Sequence, residues 1–350
     1  MVAFVFFATI AVRAGAADGF RYERNIQVGT QFLKPSLLLP GQPRMQGAGY
    51  DGQFYFAIAQ DPLLRNPDTA ASLDGSFRYR RILYPLVVWT LSTGRPALVP
   101  AVLIWFNVAA ATVLVALCAW AARRAGRTPW SVLVIALFPG VWIPVLLDLT
   151  EPLHLALLAA GILAASAGLL LLSTLAKEPA AVVLLTVGAR AFLARDWARA
   201  ARFAAAGATF GAWTLFVQWF AAGAGQSAAF SPHFLDPPGA PFLVLADQAV
   251  HEPLKAFLAA PVVLFCVISL VRLLRVRDAA ALGAGAYSVL VLASGRDIWI
   301  DFTGYYRIMA AALVLVYLSW ITAGDPLARY SLVVGGALWA LITAFVLLAR

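Results

Sequence analysis

The sequence predicts an all-α fold, a polytopic transmembrane bundle of about eleven spanning helices. Three observations carry that prediction. The chain of 350 residues is 62% hydrophobic and only 12% charged, roughly half the charged fraction of a soluble domain. Apolar runs near the length of a spanning helix recur from end to end. Arginines gather in a few short connections between those runs, as cytoplasmic loops of membrane proteins do. The formal net charge of +9 reads as loop orientation; no basic-aromatic surface module accompanies it, so nucleic acid is not an expected partner. Residues 1–350 read as one integral-membrane unit, whose surface meets membrane lipids.

The elements follow in order. The first apolar run, residues 1–12, makes roughly 18 Å of helix against a hydrocarbon core of roughly 30 Å. A spanning helix that sits short, or whose start lies upstream, is preferred to a signal peptide because no basic segment precedes the run. Residues 14–95 are a long polar stretch rich in Gly, Pro and Asp. It is placed outside as the first extracytoplasmic loop, since long loops escape the positive-inside rule. Apolar spans follow at about 97–121, 130–148, 152–168, 168–178, 179–194, 202–222, 254–273, 279–294, 305–322 and 331–349. The connections around Arg124, Arg199, Arg275 and Arg329 are assigned to the cytoplasm. Keeping residues 194–202 there requires two short helices within 152–178, turning near 164–168, and this brings Lys177 to the outer face. Cys118 and Cys266 lie inside apolar runs and read as buried thiols, outside any disulfide framework or metal knuckle.

This arrangement gathers Asp51, Asp61, Arg78, Arg80, Arg81, Asp148, Glu151, Lys177, Glu178, Arg296, Asp297, Asp301 and Arg307 on one face. Ionisable groups at membrane depth are costly and mark sites or pathways. Each has a structural and a functional reading. Asp51 in "GYDGQFYFAIAQDP" caps a helix starting near Gln53, or presents a base at the membrane surface. Phe54, Tyr55 and Phe56 would then lie in the interface, and Gly52 would keep the backbone open to a ligand. The three arginines of "FRYRRILYP" anchor lipid headgroups, or clamp a phosphate. In "DLTEPLH", Thr150 and Pro152 open a helix. Glu151 and His154 share a face there, but no further metal ligand is in view. In "LAKEPA", Lys177 and Glu178 pair with each other, or Lys177 meets a phosphate. "SGRDIWIDFTGYYR" is an interfacial belt, or the rim of a cleft.

"GYDGQFYFAIAQDP", "FRYRRILYP", "TEPL" and "LAKEP", in this order and on one face, resemble the GT-C superfamily of integral-membrane glycosyltransferases. The likeness is to bacterial mannosyltransferase-like proteins and to the lumenal mannosyltransferases of glycolipid-anchor synthesis, and it covers residues about 1–200 best. It implies many spanning helices and a first outer loop with short juxtamembrane helices. It also implies a polyprenyl-phosphate sugar donor, a mannose-like hexose, and a glycan, lipid or protein acceptor at the outer face of a bacterial inner membrane. On the matching positions it implies Asp51 and Glu151 as catalytic residues. It places the arginine cluster Arg78, Arg80 and Arg81 and the lysine Lys177 at the substrate. Beside these, Gly52, Tyr55, Asp61, Glu178 and Arg307 are taken as further candidates for binding substrate; no cofactor and no metal ligand is assigned, and the metal requirement stays open. Two features depart from the pattern: the short first helix, and a turn near 164–168 without basic residues.

Glycosyl transfer from a lipid phosphate needs a base for the acceptor hydroxyl, cations for the departing phosphate and a greasy groove for the lipid. The absence of a P-loop or dinucleotide fingerprint fits a lipid-linked donor. Two other classes stay open: a flippase for lipid-linked glycans, which would favour a polar path through the midplane, and a non-catalytic assembly subunit, which would tolerate loss of Asp51.

Overall fold

A computed structural model describes residues 1–223 and 240–348. It is 77% helix with no strand among the described residues, as the apolar periodicity predicts. In chain order, α1 (Val2–Ala17) leads into the polar segment, which folds into α2 (Gly52–Gln60), α3 (Pro67–Ala71), α4 (Phe77–Arg80) and α5 (Leu83–Leu91). There follow α6 (Val99–Arg124), α7 (Leu133–Ala136), α8 (Pro139–Leu146), α9 (Glu151–Leu163), α10 (Ala167–Ala176), α11 (Ala181–Leu193) and α12 (Trp197–Gly223). The last are α13 (Ala240–His251), α14 (Pro253–Arg272), α15 (Ala279–Leu292), α16 (Arg296–Ile300), α17 (Phe302–Ala323) and α18 (Pro326–Leu348).

Among the described residues, four helical stretches are long and apolar enough to cross a membrane: Pro96–Arg124, Pro253–Arg272, Phe302–Ala323 and Pro326–Phe345. Helices α7 and α8 are bent 57° at the Leu137–Phe138 break and make a fifth if they form one span. Helices α9, α10 and α15, with 13, 10 and 14 residues, are apolar but short, about 15–21 Å at 1.5 Å per residue.

Helix α17 is the hub. It is apolar almost all round from Ile308 to Leu318, and such a helix must be buried; α8, α9, α14, α15 and α18 pack on it. Its ends follow local chemistry. The Asp301 carboxylate accepts from the Thr303 N–H at the start, and Gly324 ends it at φ 70°. The expected short pair is present: α9 and α10 pack as a hairpin turning at residues 164–166, where the Ser166 hydroxyl accepts from the Leu169 N–H. The hairpin brings the first residue of α9 beside the residue after α10.

The polar segment has a core of its own. Ile26, Val28, Leu33, Leu37, Tyr84 and Val88 close over Tyr55 and Phe56 and continue into Val99 and Leu103 of α6. Helix α2 is therefore sunk between the segment and the bundle, with Phe54, Tyr55 and Phe56 all buried. This corrects the expected interfacial helix: its aromatic rings pack within the protein and not in lipid.

Candidate functional site

Asp51 precedes the first residue of α2 but does not cap it. Its φ and ψ of −55° and −31° are already helical, and its side chain makes no cap bond. The carboxylate is spent elsewhere: Oδ1 accepts from Arg78 at 2.8 Å and Oδ2 from Arg307 at 3.1 Å. Gly52 is explained by packing and not by ligand access. A Cβ there would strike the Leu147 carbonyl oxygen, so the glycine lets α2 seat against the chain before α9. Tyr50 completes this corner. Its hydroxyl accepts from Arg307 at 2.9 Å and lies 2.8 Å from the Thr303 hydroxyl.

The three arginines of α4 and its C-terminal end divide. Arg78 grips Asp74 with two bonds of 2.8 Å while reaching Asp51. Arg81 donates to Glu178 at 2.6 Å and to the Tyr55 hydroxyl at 2.9 Å. Arg80 is buried, its carbonyl accepts from the Trp213 indole at 3.1 Å, and it lies off the cavity formed by its neighbours. Alternation along one short helical turn accounts for the split.

Glu151 is 1% exposed. Its Oε1 receives Lys177 Nζ at 2.5 Å and Arg307 Nε at 2.7 Å. The adjacent Lys177 and Glu178 do not pair with each other, contrary to the simplest reading of "LAKEPA": Lys177 turns to Glu151 and Glu178 to Arg81. Thr150 gives no side-chain cap to α9. His154 Nδ1 meets the Ser173 hydroxyl at 2.9 Å, and no metal-holding group occurs among the described residues. Asp61 stands apart, accepting from the Asn66 N–H at 2.8 Å.

Asp51, Arg78, Arg81, Lys177 and Arg307 thus converge on one cavity of about 380 Å³, which Tyr50, Phe77, Asp297 and Asp301 also line. The counter-acids Asp74, Glu151 and Glu178 do not line it. They sit behind the cations they hold, so the cations face the cavity with their donors oriented. Of the three acids on the lining, Asp51 is the one paired to its cations, through Arg78 and Arg307, with its side chain 26% exposed. Burial alone would raise its pKa, but the Arg78 and Arg307 guanidiniums outweigh that and hold it well below the usual carboxylate range. Lys177 moves the other way. Burial lowers it to about 8, against the pull of Glu151 and with the help of Arg307 and Arg81.

Sequence reading missed Asp74, Tyr50 and Thr303. Asp74 had a usable signal, since it lies four residues before Arg78, the spacing of a helical ion pair. Tyr50 and Thr303 are 253 positions apart and carry no local signal. Comparison of the chain with protein-family models, with curated proteins and with solved structures returns no match.

Proposed function

We propose that the protein is a membrane glycosyltransferase of the GT-C kind, moving a mannose-like hexose from a polyprenyl phosphate to a glycan, lipid or protein acceptor on the extracytoplasmic face of a bacterial inner membrane. In this reading the shorter helices complete a bundle of about eleven spans in a locally thinned bilayer. The observation that carries the proposal is the cavity: Asp51, which lines it together with Asp297 and Asp301, is ion-paired to two of its four cations, and the acids Asp74, Glu151 and Glu178 that hold the cations lie outside the lining. A phosphate fits such a wall, and a base beside it fits transfer to a hydroxyl.

The acceptor oxygen attacks the anomeric carbon, the bond from that carbon to the phosphate oxygen breaks, and the anomeric configuration inverts. The acceptor proton passes to Asp51. The polyprenyl phosphate leaves with its charge held by Arg78, Arg81, Lys177 and Arg307. Asp51 clamped by two guanidiniums is a weak base. A bound phosphate draws Arg78 and Arg307 toward itself and returns the carboxylate toward its ordinary basicity. A flippase reading is disfavoured by α17, whose turns from Ile308 to Leu318 carry apolar side chains apart from Tyr317. The test is incubation of purified protein with a panel of polyprenyl-phosphate sugars and an acceptor extract. Release of polyprenyl phosphate coupled to sugar transfer is expected, and a folded protein that turns over no member of the panel defeats the proposal.

Lys177 adds a pH signature. The amine is charged below about 8 and neutral above it, so leaving-group stabilisation is present on the acid side and lost as pH rises. The rate constant kcat/KM, which reports the free enzyme, should fall above about pH 8. In Lys177→Arg that alkaline fall should disappear, because a guanidinium keeps its charge.

A further inference from the structure

At the other end of α17 lies a second cavity, of about 570 Å³, between the α6–α7 connection, α7 and α18. Its wall includes Trp320, which is about 20 Å along the helix from Arg307. The volume falls in the range of small-molecule sites. Leu133, Val134 and Leu332 make its wall apolar, and Arg127 and Arg329 stand on it as well. Arg127 lies over the Trp320 ring at 5.7 Å, which holds the guanidinium at the cavity. Both arginines are exposed, and among the described residues neither makes an ion pair.

The acids of this end are already committed. Asp325 takes Arg272 at 2.5 Å, and Asp278 accepts from the Ala281 N–H at the start of α15 and from the Ser319 hydroxyl. The positive charge of Arg127 and Arg329 is therefore uncompensated, and it borders a greasy groove. That pairing of chemistries is absent from the polar cavity at the opposite end, where Arg78, Arg81, Lys177 and Arg307 are all ion-paired.

We propose that this groove binds an anionic glycerophospholipid, with its phosphate between Arg127 and Arg329 and an acyl chain along α7 and α18. Guanidinium–phosphate contacts are charge-assisted. Basic pockets between helices at the arginine-rich face are where anionic headgroups are held. The inference needs a bilayer around the bundle but not glycosyl transfer, so it stands or falls separately from the proposed reaction.

The test uses the full chain in mild detergent, titrated with phosphatidylglycerol, with phosphatidylcholine or with inorganic phosphate. Bound lipid is read by native mass spectrometry, and thermal stability is followed in parallel. Phosphatidylglycerol should be retained in preference to phosphatidylcholine and should raise the melting temperature. The double variant Arg127→Ala/Arg329→Ala should retain it roughly tenfold less or worse, given the worth of a basic residue at an anionic surface. Val333→Trp, at a position 63% exposed that also lines the groove, should fill the acyl path and reduce retention with both arginines in place. Arg124→Ala, three residues from Arg127 and outside the groove, should retain lipid as the unmodified protein does. Equal retention of the two lipids overturns the proposal. So does a double variant that keeps its phosphatidylglycerol, an Arg124→Ala loss as large as the double variant's, or full stabilisation by inorganic phosphate.

Discussion

Asp51→Asn is expected to slow sugar transfer by roughly 100-fold or more, the usual size of a general-base effect, while the protein stays folded. The amide matches the carboxylate in shape and still offers one oxygen to Arg78 or Arg307, but it cannot take the acceptor's proton. The structural cost is limited because Arg78 keeps Asp74 and Arg307 keeps Glu151 as ion-pair partners. Donor binding should hold or tighten, because an acid that competes with the phosphate for Arg78 and Arg307 is gone. The discriminating measurement is single-turnover transfer alongside donor affinity. A normal rate would falsify the base assignment, and the role would not pass to Glu151. That residue lies off the cavity wall with one oxygen already shared by Lys177 and Arg307.

Glu151→Gln is expected to act on the fold first. Glu151 binds two cations from α17 and the end of α10, and those cations are themselves nearly buried. Removing one partner of a buried ion pair leaves charge uncompensated, at a cost of about 3–5 kcal/mol. Thermal unfolding in detergent should show a large drop in midpoint. Lys177→Met combined with Glu151→Gln should recover part of it, because the double variant no longer buries an unpaired amine. Activity that survives should carry the mark of the lost carboxylate. Glu151 raises Lys177, so without it the alkaline fall in kcat/KM should move below about pH 8. An unchanged melting midpoint together with an unchanged pH profile would remove Glu151 as the residue that positions Lys177 and Arg307.

Much of this protein follows from sequence alone, where short-range rules apply. Composition and run length mark an all-helical chain with helices fit to cross a membrane. The α9–α10 hairpin was legible because residues 164–168 interrupt a run too long to leave the arginines near 199 on the right side. The candidate ionic residues were legible as charges that solubility does not explain. Their partners were not. Lys177 and Glu178 are neighbours in sequence, so an ion pair between them looks simplest, yet the turn after α10 aims them at different acids and bases. Asp51 stands where a cap should stand, but its carboxylate goes to arginines 27 and 256 positions away. Gly52 reads as access to a ligand until the Leu147 carbonyl is found against it. The phenyl rings of α2 read as interfacial until the polar segment is seen to close over them.

The physical division is one of range. Helix type, turn position and burial tendency are set by interactions across a few residues, and a sequence displays those directly. Ion-pair choice is set by which of several equally charged groups lie within about 4 Å, where a buried pair gains most. That depends on how α2, α4, α9 and α17 pack, and here only the tertiary structure decided that four cations face a cavity while most of their acids stand behind it.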